Sequence, residues 1–266
     1  MASRRELLDR IERICGAGLT PKVLREQVLA ALRPALAYDA HVWLLTDPVT
    51  RVGTSPLADV PMLPWPRLPE LGRLRYLSPV LRWADQMDAG RTSGLLLEET
   101  EGEPERSLLW SGIQRELGVV DVASLALWDR YGCWAWLDLW RCGDSAPYVR
   151  PDRELLEDLS APLTRGIREA QARTFVDETA DLAMTGPAVV VLGADLQVRS
   201  QTDWASAALL RLNPPEQEIP TIPAAAYNVG GALVAEENGG PTATSRSRSS
   251  RARRARDVRC SGSPTR

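Results

Sequence analysis

Val119-Val120-Asp121-Val122-Ala123-Ser124-Leu125-Ala126-Leu127-Trp128 is followed, after Asp129-Arg130-Tyr131-Gly132, by Cys133-Trp134-Ala135-Trp136-Leu137-Asp138-Leu139-Trp140-Arg141. Each run has the length of a strand, and the short connection carries Asp and Gly, which together make the pattern of an antiparallel hairpin. In the second run both faces are apolar apart from Asp138, so both are expected to be covered by other elements. Trp134, Trp136 and Trp140 fall at even spacing and are expected to share one face.

Upstream of the hairpin the pattern is helical, then β, then helical. Ser3 reads as the cap of a helix over residues 4–15, with Leu7, Leu8, Ile11, Ile14 and Cys15 on one face and Gly16 and Gly18 ending it. Thr20-Pro21 opens a second helix with Leu24, Val28, Ala31, Leu32 and Ala35 as its stripe. A strand over 40–46, a turn at 47–50 and a strand from 51 form another hairpin. Residues 61–69 hold four prolines and read as a loop; 68–86 is helical, broken at Ser78-Pro79. The acidic, Gly-containing stretch 88–104 reads as a mobile loop, and Pro104 opens a helix carrying Leu108, Leu109, Ile113 and Leu117.

Downstream, Pro151 opens a long helix reaching about residue 184, with a kink expected at Pro162. The order α-α-β-β-α-α-β-β-α describes an α+β domain, an antiparallel sheet with helices packed on it. A second, incomplete β-β-α unit follows: strands over 188–192 and 197–201, a helix from Thr202 or Asp203 to 212, a loop over 214–223 and a short helix over 224–236. After Asn238 the chain is Gly, Ser, Thr, Arg and Pro with almost no apolar residues, a composition that cannot bury enough surface to order itself. The segments are therefore 1–150, the connecting helix 151–184, the partial unit 185–236 and a disordered basic tail 237–266.

With 266 residues and 44% apolar side chains the chain can bury a sizeable core. No apolar run approaches a membrane span, and the charged, helical N-terminus is no secretory signal, so a cytoplasmic, membrane-free protein is expected. Residues 1–236 carry a net charge of -9 and residues 237–266 a net of +6, so the body is unsuited to gripping a phosphate backbone. One lysine against 31 arginines fits a GC-rich genome. The four cysteines and the single histidine, His41, lack metal-ligand spacing, so no metal site is expected; Cys133 and Cys142 read as buried apolar groups. No phosphate loop, dinucleotide fingerprint or nucleophile elbow is present, and no catalytic residue or cofactor is expected.

A resemblance enters with Ala40–Pro48, Pro56–Pro61, Gly118–Ser124, Gly132-Cys133-Trp134, Leu137–Arg141 and Gln171–Phe175. These segments resemble LuxR-type transcription regulators of high-GC Gram-positive bacteria with a GAF-like N-terminal region, and Ile222–Val229 resembles the end of their second, PAS-like unit. The resemblance covers about residues 1–236 and rests on many short matches. It implies a GAF-like antiparallel sheet with flanking helices, then a partial PAS-like β-β-α unit, acting together as a sensory region. In that family a C-terminal helix-turn-helix reads DNA, whereas residues after Glu237 have no paired amphipathic helices. The tail reads as a frameshift product, and no specific DNA binding by this chain is expected.

Three constellations stand as candidates, each with a packing alternative. Trp43, Trp128, Trp134, Trp136 and Trp140 form either an aromatic wall for a small ligand or core. Leu155, Leu159, Leu163 and Ile167 form either a stripe that pairs with a second copy or a full-length regulator, or a face packed on the domain's own sheet. Arg246–Arg259 either grips nucleic acid non-specifically or is a disordered end. His41 reads as core rather than as a base, and the acidic run Glu98–Glu105 as a solvated loop. A heterodimerising interaction protein and a frameshifted remnant are the rivals to the sensory reading.

Overall fold

The structure, a computed structural model, describes residues 3–174, 188–212 and 222–238. The expected tail, 239–266, and the expected helix beyond Thr174 lie outside the described residues. Helix α1 (Arg4–Gly16) starts in a capping box: the Ser3 hydroxyl accepts from Glu6 N–H while the Glu6 carboxylate accepts from Ser3 N–H. Helix α2 (Pro21–Leu36) starts at a Thr20 cap with Pro21 in its first turn. Strands β1 (Ala40–Thr46) and β2 (Gly53–Asp59) pair antiparallel. Helices α3 (Leu68–Leu77) and α4 (Trp83–Asp88) follow, split at Ser78-Pro79 as the sequence suggests.

The stretch expected to be a mobile acidic loop contains instead strand β3 (Ser93–Leu95) and helix α5 (Leu96–Glu99). β3 pairs with β4 (Val119–Asp129), which pairs with β5 (Gly132–Cys142). Leu95 and Leu96 are buried at this edge, and Glu98 and Glu99 are paired with Arg153 and Arg91 rather than simply solvated. The helix expected after Pro104 is a 3-10 turn, Pro104–Arg106, then a π-helical stretch, Trp110–Gln114. Buried Asp121 ties this end together. Its oxygens accept from the backbone N–H groups of Leu97, Val122 and Tyr148 at 3.1, 2.8 and 2.9 Å.

The sheet order is β2-β1-β5-β4-β3, every neighbour antiparallel, with flanking helices, so the α+β class is as expected. One face carries Trp43, Leu45, Leu125, Leu137 and Leu139 and packs on α1, α2 and α6 (Arg150–Thr174). The other carries Leu44, Ala126, Trp136 and Trp140 and packs on α3, α4 and the π-helical stretch. Both faces of the hairpin are therefore covered, which explains why neither strand alternates.

One expected shared face is corrected. In β4–β5, Leu127 pairs with Ala135 and Trp128 with Cys133, which leaves Trp134 as an extra, bulged residue. Trp134 turns to the α6 side, where its indole N–H donates to Asp129 Oδ1 at 3.0 Å, while Trp136 and Trp140 stay on the opposite face.

Helix α6 continues through Pro162. Leu155, Leu159, Leu163 and Ile167 are 8%, 0%, 0% and 0% exposed in the chain's own core, so the packing alternative describes this stripe in the folded chain. Beyond it, β6 (Val190–Leu192) and β7 (Val198–Gln201) form a two-stranded antiparallel sheet, followed by α7 (Asp203–Leu212) and α8 (Ala224–Glu237). This is the β-β-α order read from the sequence. Helix α8, however, packs on α3 and β2 of the first unit. Among the described residues no helix is long and apolar enough to cross a membrane.

The α1–α6 crossing depends on Gly166. A Cβ there would lie 2.7 Å from Cys15 Cβ and 3.1 Å from Cys15 Cα, so the helices would have to separate. Gly166→Val is expected to destabilise the chain by about 1–3 kcal/mol through overpacking. Urea unfolding followed by far-UV circular dichroism measures this; an unchanged midpoint would show that the helices do not cross this closely.

Candidate functional site

The covered face of β5 holds a buried charge. Asp138, the exception in the apolar run, is 3% exposed at the centre of the sheet. A carboxylate so placed needs partners. It has three: Ser124 Oγ donates to Oδ1 at 2.7 Å, Trp83 Nε1 donates to Oδ1 at 3.2 Å, and Arg75 Nε lies 3.1 Å from Oδ2. The Arg75 guanidinium also donates to the Leu81 carbonyl at 3.0 Å and lies 3.7 Å from the centre of the Trp83 ring. Trp83 in turn stacks on Trp136 with centroids 4.1 Å apart and planes 19° apart. Burial pushes the Arg75 guanidinium below its ordinary value, and Asp138 opposes that shift.

Above this knot opens a cleft of about 1010 Å3, at the upper end of the roughly 300–1,000 Å3 usual for small-molecule sites. Its floor is Val42, Leu44, Asp138 and Trp140. One wall is α3, with Leu68, Leu71 and Arg75, and another is β2 with Val60 beyond it. Lys22 and Arg25 of α2 reach its rim. Arg25, 2% exposed, donates to the carbonyls of Trp43 and Ser55 at 2.9 and 2.8 Å, and so fastens α2 to β1 and to the bulge in β2. Burial pushes the Arg25 guanidinium down to about 10, with Glu26 opposing. A separate cavity of about 10 Å3 lies between Arg75, Ser107, Gln114 and Asp138. That is room for one water, and Gln114 Nε2 there has no protein partner.

Of the five tryptophans singled out in the sequence, Trp140 alone lines the cleft. It is 1% exposed and its indole N–H has no protein partner. Trp136 lies beneath Trp83 in the layer that supports the cleft. Trp128 packs at the edge of that layer and donates to the Arg91 carbonyl at 3.2 Å. Trp43 and Trp134 belong to the opposite face, against α1, α2 and α6. The residues that sequence reading missed are Arg75, Trp83 and Ser124. Asp138 was the available signal, because a buried acid in an apolar strand requires a cation and donors from elsewhere.

His41 is 7% exposed on β1, edge-on to Tyr38 at 5.8 Å, with Nδ1 unpartnered. Burial holds its pKa below 6.5, with Asp59 opposing and Arg33 assisting. Cys133 is buried and its thiol is pushed up to about 11 by burial, as expected of an inert apolar group; Cys142 is half-buried.

A comparison of the sequence with protein-family models finds no match, and a comparison with curated proteins finds none. Among solved structures, the crystal structure of Escherichia coli SdiA is similar over 91% of this chain and 92% of that one, at 16% identity and a TM-score of 0.43. At that score, what the cleft does has to be read from its own residues.

Two measurements check the site. Asp138→Ala leaves Arg75 buried without its counter-charge and is expected to cost about 3–5 kcal/mol. The double variant with Arg75→Leu should cost less than the sum of the two single changes, read by urea unfolding in a double-mutant cycle; strict additivity would contradict the ion pair. For His41 the unfolded chain takes up a proton as pH falls through 6.5 while the folded chain resists. The stabilisation is therefore full above 6.5 and is lost as pH falls from there towards the folded value. The stability gap between the wild type and His41→Gln should shrink between about pH 7.5 and about pH 5.5, and a gap independent of pH would contradict it.

Proposed function

We propose that this chain is a non-catalytic, cytoplasmic sensory region of a LuxR-type transcription regulator, whose input is a small molecule held in the cleft over Asp138. The observation that carries this reading is the cleft itself, whose floor sets Asp138 beside Trp140, a residue whose buried indole N–H has no protein partner. An unpartnered buried donor is costly unless something completes it. A ligand carbonyl would do so. Asp138 Oδ2, faced by Arg75 Nε, keeps acceptor capacity for a ligand N–H or O–H. The apolar remainder, Val42, Leu44, Leu68 and Leu71, suits an aliphatic body. The ligand class is thus an uncharged amphiphile with adjacent carbonyl and N–H or O–H groups.

The non-catalytic reading draws support from the same carboxylate. Its oxygens are engaged by Ser124, Trp83 and Arg75, an arrangement of an ion pair and two donors. Signalling then requires that the ligand favour one arrangement of the chain over another, since equal affinity for both would transmit nothing.

A second reading, an interaction protein that pairs with full-length regulators, is favoured by one observation. Val189, Val191, Val198 and Trp204 are 46%, 50%, 44% and 54% exposed on the β6–β7–α7 unit. Co-purification with a full-length regulator in place of any small-molecule effect would favour it.

A thermal-shift screen of uncharged amides and esters on the whole chain should find compounds that raise Tm by mass action, and Trp140→Phe should remove the shift. A shift that survives in Trp140→Phe places the ligand elsewhere. In gel-shift assays at physiological salt no DNA fragment should be retarded by residues 1–236 in a sequence-specific way, because their net charge is -9; specific retardation would contradict a purely sensory role for that body.

A further inference from the structure

Helix α8 follows the β-β-α unit in sequence but packs on the first unit, and its approach is made by glycines. Gly72 of α3 has Tyr227 Cβ 3.7 Å from the position its own Cβ would take. A Cβ on Gly231 would come 3.1 Å from the Tyr76 ring and 3.2 Å from the Gly72 carbonyl oxygen. On its other side α8 meets the β6–β7 turn: a Cβ on Gly230 would come 2.7 Å from Leu196 Cδ2, and Leu196 is 2% exposed. The same helix and the residues leading into it, Ile222, Ala224, Ala225, Tyr227 and Asn228, line the cleft whose floor is Asp138 and Trp140. Three surfaces therefore meet on one short helix: cleft, first unit and second unit.

We infer that α8 is a third wall of the ligand cleft, so that a molecule bound over Asp138 and Trp140 touches both units and holds the β6–β7–α7 unit against the first. The inference rests on the small-molecule reading of the cleft and adds to it the route by which occupancy leaves the first unit. Docking of α8 and occupation of the cleft are then linked: each raises the affinity of the other by the same factor. The close glycine contacts make the docked state easy to disturb with a single added side chain.

The probe is octanamide, which carries a carbonyl, N–H groups and an aliphatic body, titrated into the whole chain by calorimetry. Gly231→Leu cannot keep α8 at this distance and should bind octanamide about tenfold more weakly or worse, as expected when an apolar wall is withdrawn. Val229→Ser, on a residue 57% exposed, should bind as the wild type does. The pair Gly72→Cys and Tyr227→Cys, at a Cβ separation of 3.7 Å, has the spacing of a disulfide. Its oxidised form, confirmed by peptide mapping, should bind more tightly than its own reduced form. Octanamide should also slow hydrogen exchange across residues 190–201. If Gly231→Leu unfolds the first unit, the comparison of oxidised with reduced chain decides by itself. Binding that is equal in wild type and Gly231→Leu, or no tighter in the oxidised than in the reduced chain, overturns the inference and leaves the cleft reading standing. No binding to the wild type or to the cross-linked chain overturns both.

Discussion

A carboxylate in the middle strand of a sheet covered on both faces is the constraint around which this molecule is arranged. Asp138 is only 3% exposed, so its charge has to be met largely inside the protein. The residues that meet it come from three elements: Ser124 from β4, Arg75 from α3 and Trp83 from α4. The ion pair ties α3, a wall of the cleft, to the sheet, and the Trp83 hydrogen bond ties α4 to it. Replacing the knot with apolar residues could keep the stability of the fold. It would remove the polar group from the floor of the cleft.

The two faces of the sheet divide the work. On one side α1, α2 and α6 close a dry core with Trp43, Leu137 and Leu139 fully buried, and Gly166 lets α6 approach Cys15 closely. On the other side the cover is less complete: the cleft lies there with Trp140 in its floor, and a small cavity lies beside Gln114. The Trp140 indole N–H and Gln114 Nε2 have no protein partner, as the Trp43 indole N–H on the closed side has none. A rigid face behind a partly open one suits binding, since the floor does not have to reorganise when a ligand arrives. Helix α8 extends that logic to the second unit, because it stands on the open face and leans on Leu196 behind it.

What was legible in the sequence was local. Ser3 and Thr20 caps, the Asp-Gly connection of the central hairpin and the β6–β7–α7 order depend on neighbours in the chain, and all appear where residue patterns put them. β3 did not show, because three residues around Gly94 become a strand only by pairing with β4. The face of Trp134 was misread because evenness assumes a regular strand. Asp129 captures its indole and pairs with Arg168 of α6, and the extra residue of the bulge shifts every position before Ala135. The site was half legible. Asp138 stood out, but Trp83 and Arg75 lie 55 and 63 residues away, and no spacing rule connects them. Likewise Leu155, Leu159, Leu163 and Ile167 carry a periodicity that a pairing helix and a core helix share, so the stripe alone could not choose between them.

The central claim is that the cleft takes a small molecule through the Trp140 indole. The direct measurement is a nitrogen–proton NMR titration of the whole chain with octanamide, following the tryptophan indole N–H signals, with Trp140 assigned by its loss in Trp140→Phe. Formation of the bond should move the Trp140 signal downfield in proportion to occupancy, while Trp43, on the far side of the sheet, stays in place. A Trp140 signal that does not move while octanamide binds, or that moves no more than that of Trp43, would contradict the account.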